Sequence, residues 1–559
     1  MGASSILRKL EVDREGISEE HSLLVNHDLL PVPPENRTWT KWTYSLFWFG
    51  ECFSVTSWTV AATGVTNGLS WWEAWICVIL GHLIAGIPMI MTGRGGAVYH
   101  VPFPVLARSS FGVFGAYWPV FNREAMTIIW CGVQMVQTGN CVYTMILSWT
   151  KGISKVNNPF PSDVSMTGGR LIGFVIAWVI LMGCTFVPVH KFRKVIYVKS
   201  VVTTICLLAF FGWSLGRAGG VGNIVKQGAQ IPKGKSHGWV FIQQLFIQAA
   251  NVVTFVANNA DLSRYARRPI DALWTQLIGF TVSFGFIAFF GIMITSASAI
   301  TTSTGKINWD PMGILAAYLA DYSSANRAGV FFIAAGFSFA QIVTVIVANL
   351  IQSGNDAAAL APRYISIRRG MIIALVLGFA ITPWNLTKSS FSFTSYLSAY
   401  SIFIASICGV IIGDYFLVRK GYIDLPSLFN SREGGLYYFK FGFNWRGYLA
   451  YIIGMIPAIP GFLHTCGVKS VSKGGQYLGY FGFPLGVFLG AVAYWGLCLL
   501  SPVPGGNATT WHEVEPIGTG ITGEETLEYM DGVSREYTKD SDNADHKSAD
   551  ASEKVVSGV

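Results

Sequence analysis

The chain has 559 residues, of which 52% are hydrophobic and 13% are charged, and its mean hydropathy is +0.45. Soluble domains carry about 25% charged residues, so this composition excludes an ordinary soluble globular protein and points to a chain embedded in lipid. The formal net charge is +8, and we interpret the basic excess as a bias of the loops that flank membrane spans, not as a nucleic-acid surface.

Three parts follow one another along the chain. Residues 1–42 are polar and lack the apolar core of a cleaved signal, so we predict a cytoplasmic N-terminal segment. Residues 43–502 form a membrane body. In residues 503–559 acidic residues outnumber basic ones 12 to 4, and too few apolar side chains are present to offset the entropy of ordering the chain. We predict an acidic, disordered cytoplasmic tail, which is either a solvated end or a platform for ubiquitin ligases and endocytic adaptors.

Apolar runs of about 20 residues, the length that crosses a bilayer as a helix, recur twelve times in the body. The fold class predicted is therefore an all-α polytopic membrane protein with twelve transmembrane helices. The predicted spans lie near residues 43–64, 71–92, 117–149, 169–188, 195–216, 238–258, 272–296, 329–352, 370–387, 393–418, 446–465 and 479–500.

The short loops predict the orientation of these spans. Loops on the N-terminal side are richer in Lys and Arg than the opposite loops, and cytoplasmic loops retain positive charge. We therefore place both termini in the cytoplasm. The localisation expected for the protein is the plasma membrane.

Polar residues interrupt the first and the sixth predicted spans at mid-depth, at 54–59 (SVTSWT) and at 251–254 (NVVT). Unsatisfied polar groups are costly in hydrocarbon, so such segments line a cavity or a protein interface. The two interruptions lie about 200 residues apart, the spacing of a 5+5 inverted repeat with a midplane binding site, as in LeuT-like transporters. Two further helices would then be peripheral.

The nine cysteines are scattered without a metal-type C-x-x-C spacing, so we predict no disulfide, no metal site and no cofactor. The chain also lacks the H-E-x-x-H and G-x-S-x-G motifs and a phosphate-binding glycine loop. We therefore do not expect an enzyme.

Four segments together resemble one family: residues 26–42 (NHDLLPVPPENRTWTKW), 97–112 (AVYHVPFPVLARSSFG), 130–134 (WCGVQ) and 261–265 (DLSRY). The similarity runs from residue 26 to about residue 430. These segments are similar to the nucleobase-cation-symport-1 family, in its fungal uracil, allantoin and uridine permease branch.

The resemblance implies a secondary active transporter that carries a nucleobase or a related planar heterocycle, of the uracil or allantoin type, by proton-coupled symport. A bundle of spans 1, 2, 6 and 7 would rock against spans 3, 4, 5, 8, 9 and 10. A permease for uridine, thiamine or nicotinamide riboside, or a non-transporting nutrient sensor of the same fold, remains an alternative. The partners expected are a small solute, a proton and the lipid bilayer.

Trp130 and Gln134 are four residues apart, so the indole and the amide lie on one helix face. An indole stacks on a flat ring, and an amide offers donors and an acceptor to its lactam edges. The resemblance implies that this pair binds the substrate.

The eighth span contains the run 340–349 (AQIVTVIVAN). It is similar to a run of the family's bacterial hydantoin transporter, and the resemblance implies a substrate-binding role for Asn349 and sodium-site positions for Ala340 and Thr344. Val343 occupies the third hydroxyl position and cannot coordinate a cation. We therefore expect a proton, rather than sodium, as the coupling ion.

A proton symporter needs a group that changes its charge inside the membrane, and ionisable residues at that depth are functional candidates. Glu51 of the first span is our candidate for coupling, together with Thr344. Glu124 is the other acidic candidate, but a structural ion pair with its neighbour Arg123 is equally expected.

Further expectations concern the walls and gates of the site. Thr59 stands where many fungal relatives have Gln or Met, so its short side chain would enlarge the pocket. Val252 stands where the bacterial relative has a second stacking Trp. Phe255 could supply a substitute ring only if the helix is locally unwound. Tyr396 of the tenth span is either an aromatic gate over the ligand or an interfacial anchor. Asp261, Arg264 and Arg267 are interpreted as solvated loop charges rather than as a latch of the inner gate that pairs with the N-terminal segment.

Overall fold

The structure is a computed structural model that describes residues 11–12, 24–161, 164–188, 192–302, 305–506 and 508–513. Within these residues the secondary structure is helical, apart from two isolated β-bridges. The longer helices are α1 Lys41–Cys52, α2 Val55–Thr66, α3 Trp71–Tyr99, α4 Phe103–Phe111, α5 Tyr117–Trp149, α6 Gly168–Cys184, α7 Phe192–Arg217, α8 His237–Asn251, α9 Val253–Ser263, α10 Trp274–Thr301, α11 Pro311–Ala317, α12 Ser324–Thr344, α13 Ile351–Leu360, α14 Ile367–Ala380, α15 Ser390–Ile412, α16 Trp445–Met455, α17 Ile459–Thr465, α18 Lys473–Tyr480 and α19 Gly482–Leu500.

Among the described residues, eight helical stretches are long and apolar enough to cross a membrane, and α6 is a shorter apolar helix. A helix lies at each of the twelve predicted positions. The eight stretches are Trp71–Tyr99, Lys194–Arg217, His237–Ser263, Pro269–Thr301, Ser324–Leu360, Ala399–Val418, Trp445–Thr465 and Gly482–Leu500.

Both interruptions predicted from polar residues are breaks in helices. The first separates α1 from α2 at Ser54, which has extended backbone angles and whose hydroxyl accepts a hydrogen bond from the Ser57 N–H at 3.0 Å. The freed N–H of Val55 donates to the Gln341 side chain at 3.1 Å. The second break separates α8 from α9 at Val252. Polar side chains thus satisfy backbone groups that a continuous helix would pair internally.

Two π-helical segments occur within the long helices. The segment Val345–Leu350 joins α12 to α13, and Gly413–Val418 extends α15. A π-helical turn inserts an extra residue and frequently accompanies a functional site. In the eighth span it rotates the residues after Thr344 relative to a regular helix.

The described part of the N-terminal segment packs on the body. Leu24 and Leu29 are buried, and Arg108 donates to the Leu24 carbonyl at 2.8 Å. Trp39 and Ala266 form a parallel bridge with hydrogen bonds of 2.8 and 2.9 Å. We use "inner side" for the face of the protein on which this segment lies and "outer side" for the opposite face.

The first residues of the predicted tail also contact the body on the inner side. The Glu513 carboxylate accepts hydrogen bonds from Arg94 of α3, at 2.9 and 2.5 Å, and from the Tyr415 hydroxyl at 2.8 Å. Trp511 packs against Phe416. This C-terminal clasp, residues 508–513, bridges the second and the tenth spans, whereas residues 514–559 lie outside the described residues.

Candidate functional site

A small cavity of about 40 Å³ lies where the two broken helices meet α5 and the π-helical segment of the eighth span. Mostly polar and aromatic side chains line it, from the first, third, sixth, seventh and eighth spans. They are Glu51, Ser54, Thr56, Ser57, Trp130, Gln134, Asn251, Thr254, Phe255, Phe284, Thr344, Ala348 and Asn349. This central cavity therefore contains five of the seven side chains predicted for the site, namely Trp130, Gln134, Asn349, Glu51 and Thr344.

Gln134 is connected to the break in the first span through one side chain. Its carbonyl oxygen accepts a hydrogen bond from Gln341 at 3.3 Å, and the carbonyl of Gln341 accepts from the Val55 N–H. The Gln341 side chain thus links the Gln134 amide to the start of α2. The Trp130 indole lies edge to face with Phe393, with ring centroids 6.2 Å apart.

Asn349 brings an unfilled hydrogen-bond donor to the cavity. Its side chain is only 4% exposed, and its amide nitrogen has no hydrogen-bond partner among the described residues. Buried donors are nearly always paired. The Asn349 amide is therefore suited to a carbonyl group of a bound solute, and the π-helical turn is the element that presents it.

A buried cation that sequence reasoning missed lies beside the cavity. Lys199 of α7 has no exposed surface, its ammonium donates to the Thr344 hydroxyl at 2.7 Å, and it lies 3.5 Å from the Glu51 carboxylate. The signal was present, since a lysine within an apolar run is a functional candidate, but we considered only acidic residues. Lys199 occupies the neighbourhood of Thr344, a position that the resemblance assigned to sodium.

Thr59 and Tyr396 do not line the central cavity. Thr59 is buried, but its hydroxyl donates to the Val55 carbonyl of its own helix at 2.8 Å. Tyr396 is 54% exposed. Phe393, one turn earlier on α15, is buried against Trp130.

The sixth span is broken, which is the condition under which we expected Phe255 to supply an aromatic ring to the site. Val252 is the residue at the break between α8 and α9. Phe255 lines the central cavity, with its ring edge to face with Trp48 at 5.3 Å. An aromatic side chain therefore reaches the site from this span although Val252 does not supply one.

Two expectations about charged residues are wrong. Arg123 does not pair with Glu124; it bonds Asp261 at 2.7 Å and also Asp356, while Glu124 accepts from Ser353 at 2.6 Å. For these buried charged residues, the packing of the helices determines which side chains pair, and adjacency in the sequence does not.

Asp261 and Arg264 are not solvated loop charges. Asp261 is buried and accepts a hydrogen bond from the Phe103 N–H at 2.8 Å. Arg264 is also buried, and it donates to the Asp28 carbonyl of the N-terminal segment at 3.0 Å. Arg264 therefore contacts the N-terminal segment, as the latch hypothesis requires, whereas Asp261 bonds α4 and α5 of the body.

A much larger cavity, of about 1220 Å³, opens on the inner side between the N-terminal segment and the helices. Asp28, Asp261 and Gln352 are among its lining residues. Val347 and Ile351 also line it, whereas Ala348 and Asn349 line the central cavity. The eighth span thus borders both the central cavity and this inner vestibule.

Comparisons with known proteins agree with this geometry. A family model described as "Permease for cytosine/purines, uracil, thiamine, allantoin" matches residues 31–486. The allantoin permease of Saccharomyces cerevisiae is 38% identical over 502 residues, covering 89% of this chain and 79% of that protein. The uracil permease of the same yeast is 37% identical over 497 residues, covering 88% and 78%.

Among solved structures, the inward-facing conformation of Mhp1 superposes with a TM-score of 0.67 and 19% sequence identity. The match covers 86% of this chain and 95% of Mhp1. The likeness shows that this chain has the fold of Mhp1.

Proposed function

The chain belongs to the family of permeases for cytosine/purines, uracil, thiamine and allantoin, and on this basis we propose that it is a symporter which carries a nucleobase or a related planar heterocycle, of the uracil or allantoin type, across the plasma membrane together with a proton. It is an integral membrane transporter and not an enzyme. The names of its relatives, allantoin permease and uracil permease, support this substrate class.

The observation that carries the proposal is the composition of the central cavity. Trp130 supplies an aromatic surface for a flat ring, and Gln134 and Asn349 supply amides that complement the alternating N–H and C=O groups of a lactam or ureide. The unpaired Asn349 donor is the strongest single indication, because a solute carbonyl would complete its hydrogen bonding.

Lys199 supports a proton as the coupling ion. Its ammonium places a positive charge next to Thr344, where a sodium ion would otherwise lie, and Val343 offers no side-chain oxygen. The pair of Lys199 and Glu51 also joins the fifth span to the first. Protonation of Glu51 would abolish this attraction between the scaffold and the bundle, which couples proton uptake to their relative movement.

The proposed architecture has twelve transmembrane helices, with a 5+5 inverted repeat and two peripheral helices. The two broken helices, 200 residues apart, support the repeat. Both termini would be cytoplasmic, which makes the inner vestibule the cytoplasmic exit. Ubiquitin ligases or endocytic adaptors would act on the tail beyond the described residues.

Uptake of radiolabelled uracil and allantoin into cells that lack their own permeases tests the proposal. We expect saturable uptake that Gln134→Ala or Asn349→Ala abolishes, with the protein still at the cell surface. Thr144→Ala is a matched control, because this buried threonine of α5 bonds its own helix and does not line the cavity.

Unchanged uptake kinetics in both variants would refute the site assignment. Competition by uridine, thiamine and nicotinamide riboside ranks the alternative substrates. Solute binding without uptake would favour a nutrient sensor of the same fold. Uptake that requires external sodium and ignores an uncoupler would reverse the assignment of the coupling ion.

A further inference from the structure

A second cavity of about 40 Å³ lies on the outer side, next to the later half of α5. It borders the loop before α6, the start of α11 and the turn after α14. Its lining combines indole rings with amide and charged side chains, including Gln137, Asn140, Arg170, Trp309, Asp310 and Trp384.

Gln137 continues the line of site residues along α5. It is three residues beyond Gln134 and seven beyond Trp130, so all three lie on one helix face. Gln137 is 4% exposed, and its side-chain oxygen has no hydrogen-bond partner among the described residues. Such a buried acceptor calls for a partner that enters the cavity, and an N–H group of a solute is one.

Phe393 separates the outer cavity from the central one. Its ring centroid lies 6.0 Å from Trp309, which lines the outer cavity, and 6.2 Å from Trp130, which lines the central cavity. The three rings form a continuous aromatic series between the two spaces. A flat solute could therefore remain in contact with an aromatic surface throughout its passage from one cavity to the other.

Charged groups of both signs complete the outer cavity. Arg170 is anchored by a hydrogen bond to the Ser165 carbonyl at 3.4 Å, and Asp310 accepts from the Met312 N–H at 3.1 Å at the start of α11. Their positions are thus fixed by local structure. Together with Gln137 they present hydrogen-bond donors and acceptors. These groups complement the N–H and C=O groups on the edge of a uracil or an allantoin ring.

We propose that the outer cavity is a second, outer solute subsite, in which Gln137 and Trp309 hold a planar heterocycle before Phe393 moves to admit it to the central cavity. This inference rests on the proposed function. It assigns to one chain two sites in series for the same class of solute, and it makes the outer subsite the first point of selection.

Equilibrium binding of radiolabelled uracil and allantoin to the purified full chain tests the subsite. We expect two solute equivalents for the wild type, one for Gln134→Ala, one for Gln137→Met and none for the double variant. Methionine has a volume similar to that of glutamine and removes only the hydrogen-bonding groups. Thr144→Val, on the same helix but outside both cavities, should retain two equivalents.

Influx measurements give a second readout. Loss of a neutral hydrogen bond to the solute should raise the KM of Gln137→Met about 2- to 10-fold, and Trp309→Phe should retain the wild-type KM more closely than Trp309→Ala. A wild type that binds one equivalent, unchanged by Gln137→Met, would overturn the subsite and leave the proposed function intact. A wild type that binds and imports neither solute would overturn both.

Discussion

Replacing Lys199 by methionine tests the proposed coupling mechanism most directly. The ammonium lies 3.5 Å from the Glu51 carboxylate, and at an effective dielectric constant of about 20 their attraction is about 5 kcal/mol. Removal of one partner from a buried ion pair leaves an uncompensated charge. In Lys199→Met the Glu51 carboxylate would lack this partner, so we expect Glu51 to stay neutral and the proton no longer to cycle with the solute.

The assay is initial uptake of the radiolabelled solute at external pH values from 5 to 8, with and without an uncoupler. Wild-type uptake should fall as the external pH rises, because the proton is a co-substrate. Uptake by Lys199→Met should be independent of pH and of the uncoupler. If about 1.4 kcal/mol of the lost attraction acts in the rate-limiting step, the maximal rate also falls about tenfold.

Three variants give controls for this experiment. Lys199→Arg keeps the positive charge and should keep a pH-dependent uptake. Lys199→Met combined with Glu51→Gln should behave as Lys199→Met alone, since the carboxyl is already neutral. Lys226→Met removes an exposed cation from the loop that follows the same helix and should have no effect. Wild-type pH dependence in Lys199→Met would refute the reasoning.

Three further predictions concern the site and its support. Thr59→Val should leave the KM of uptake unchanged, because the hydroxyl bonds its own helix; a loss comparable to that of Gln134→Ala would place Thr59 in the site after all. Phe393→Ala should raise the KM about 2- to 10-fold through lost ring contacts and admit bulkier heterocycles in a competition assay, and an unaltered inhibitor profile would contradict its gating role. Asp356→Asn removes one of the two carboxylates that bind Arg123, while Asp261 remains, and should destabilise the purified protein by about 1.5–3 kcal/mol, measured as a lower melting temperature. Arg268→Gln changes a side chain that is 71% exposed and should alter the melting temperature little. Equal effects would show that the Arg123 network is not a major support.

The sequence predicted the parts of the site that depend on local pattern. Polar residues in an apolar run marked the break at Ser54, because a lipid-facing helix excludes them. The shared face of Trp130 and Gln134 follows from helical periodicity. Neither feature requires knowledge of how the helices pack.

The parts that were missed depend on the rotation and packing of helices. Phe393 and Tyr396 are three residues apart and so differ by about 60° around the helix axis, which is too little for a pattern to decide which one faces Trp130. Lys199 lies near the start of its apolar run and resembles an interfacial lysine. Only the packing of the fifth span against the first and eighth brings it to Glu51.

The C-terminal clasp bears on how deletions of the tail are designed and interpreted. A deletion that starts after Pro502 removes Glu513 and with it the contacts to Arg94 and Tyr415, so it alters a brace between two spans as well as the tail. A deletion that starts after residue 513 keeps this brace. Comparing the two would separate an effect on the transport cycle from an effect on how long the protein stays at the cell surface.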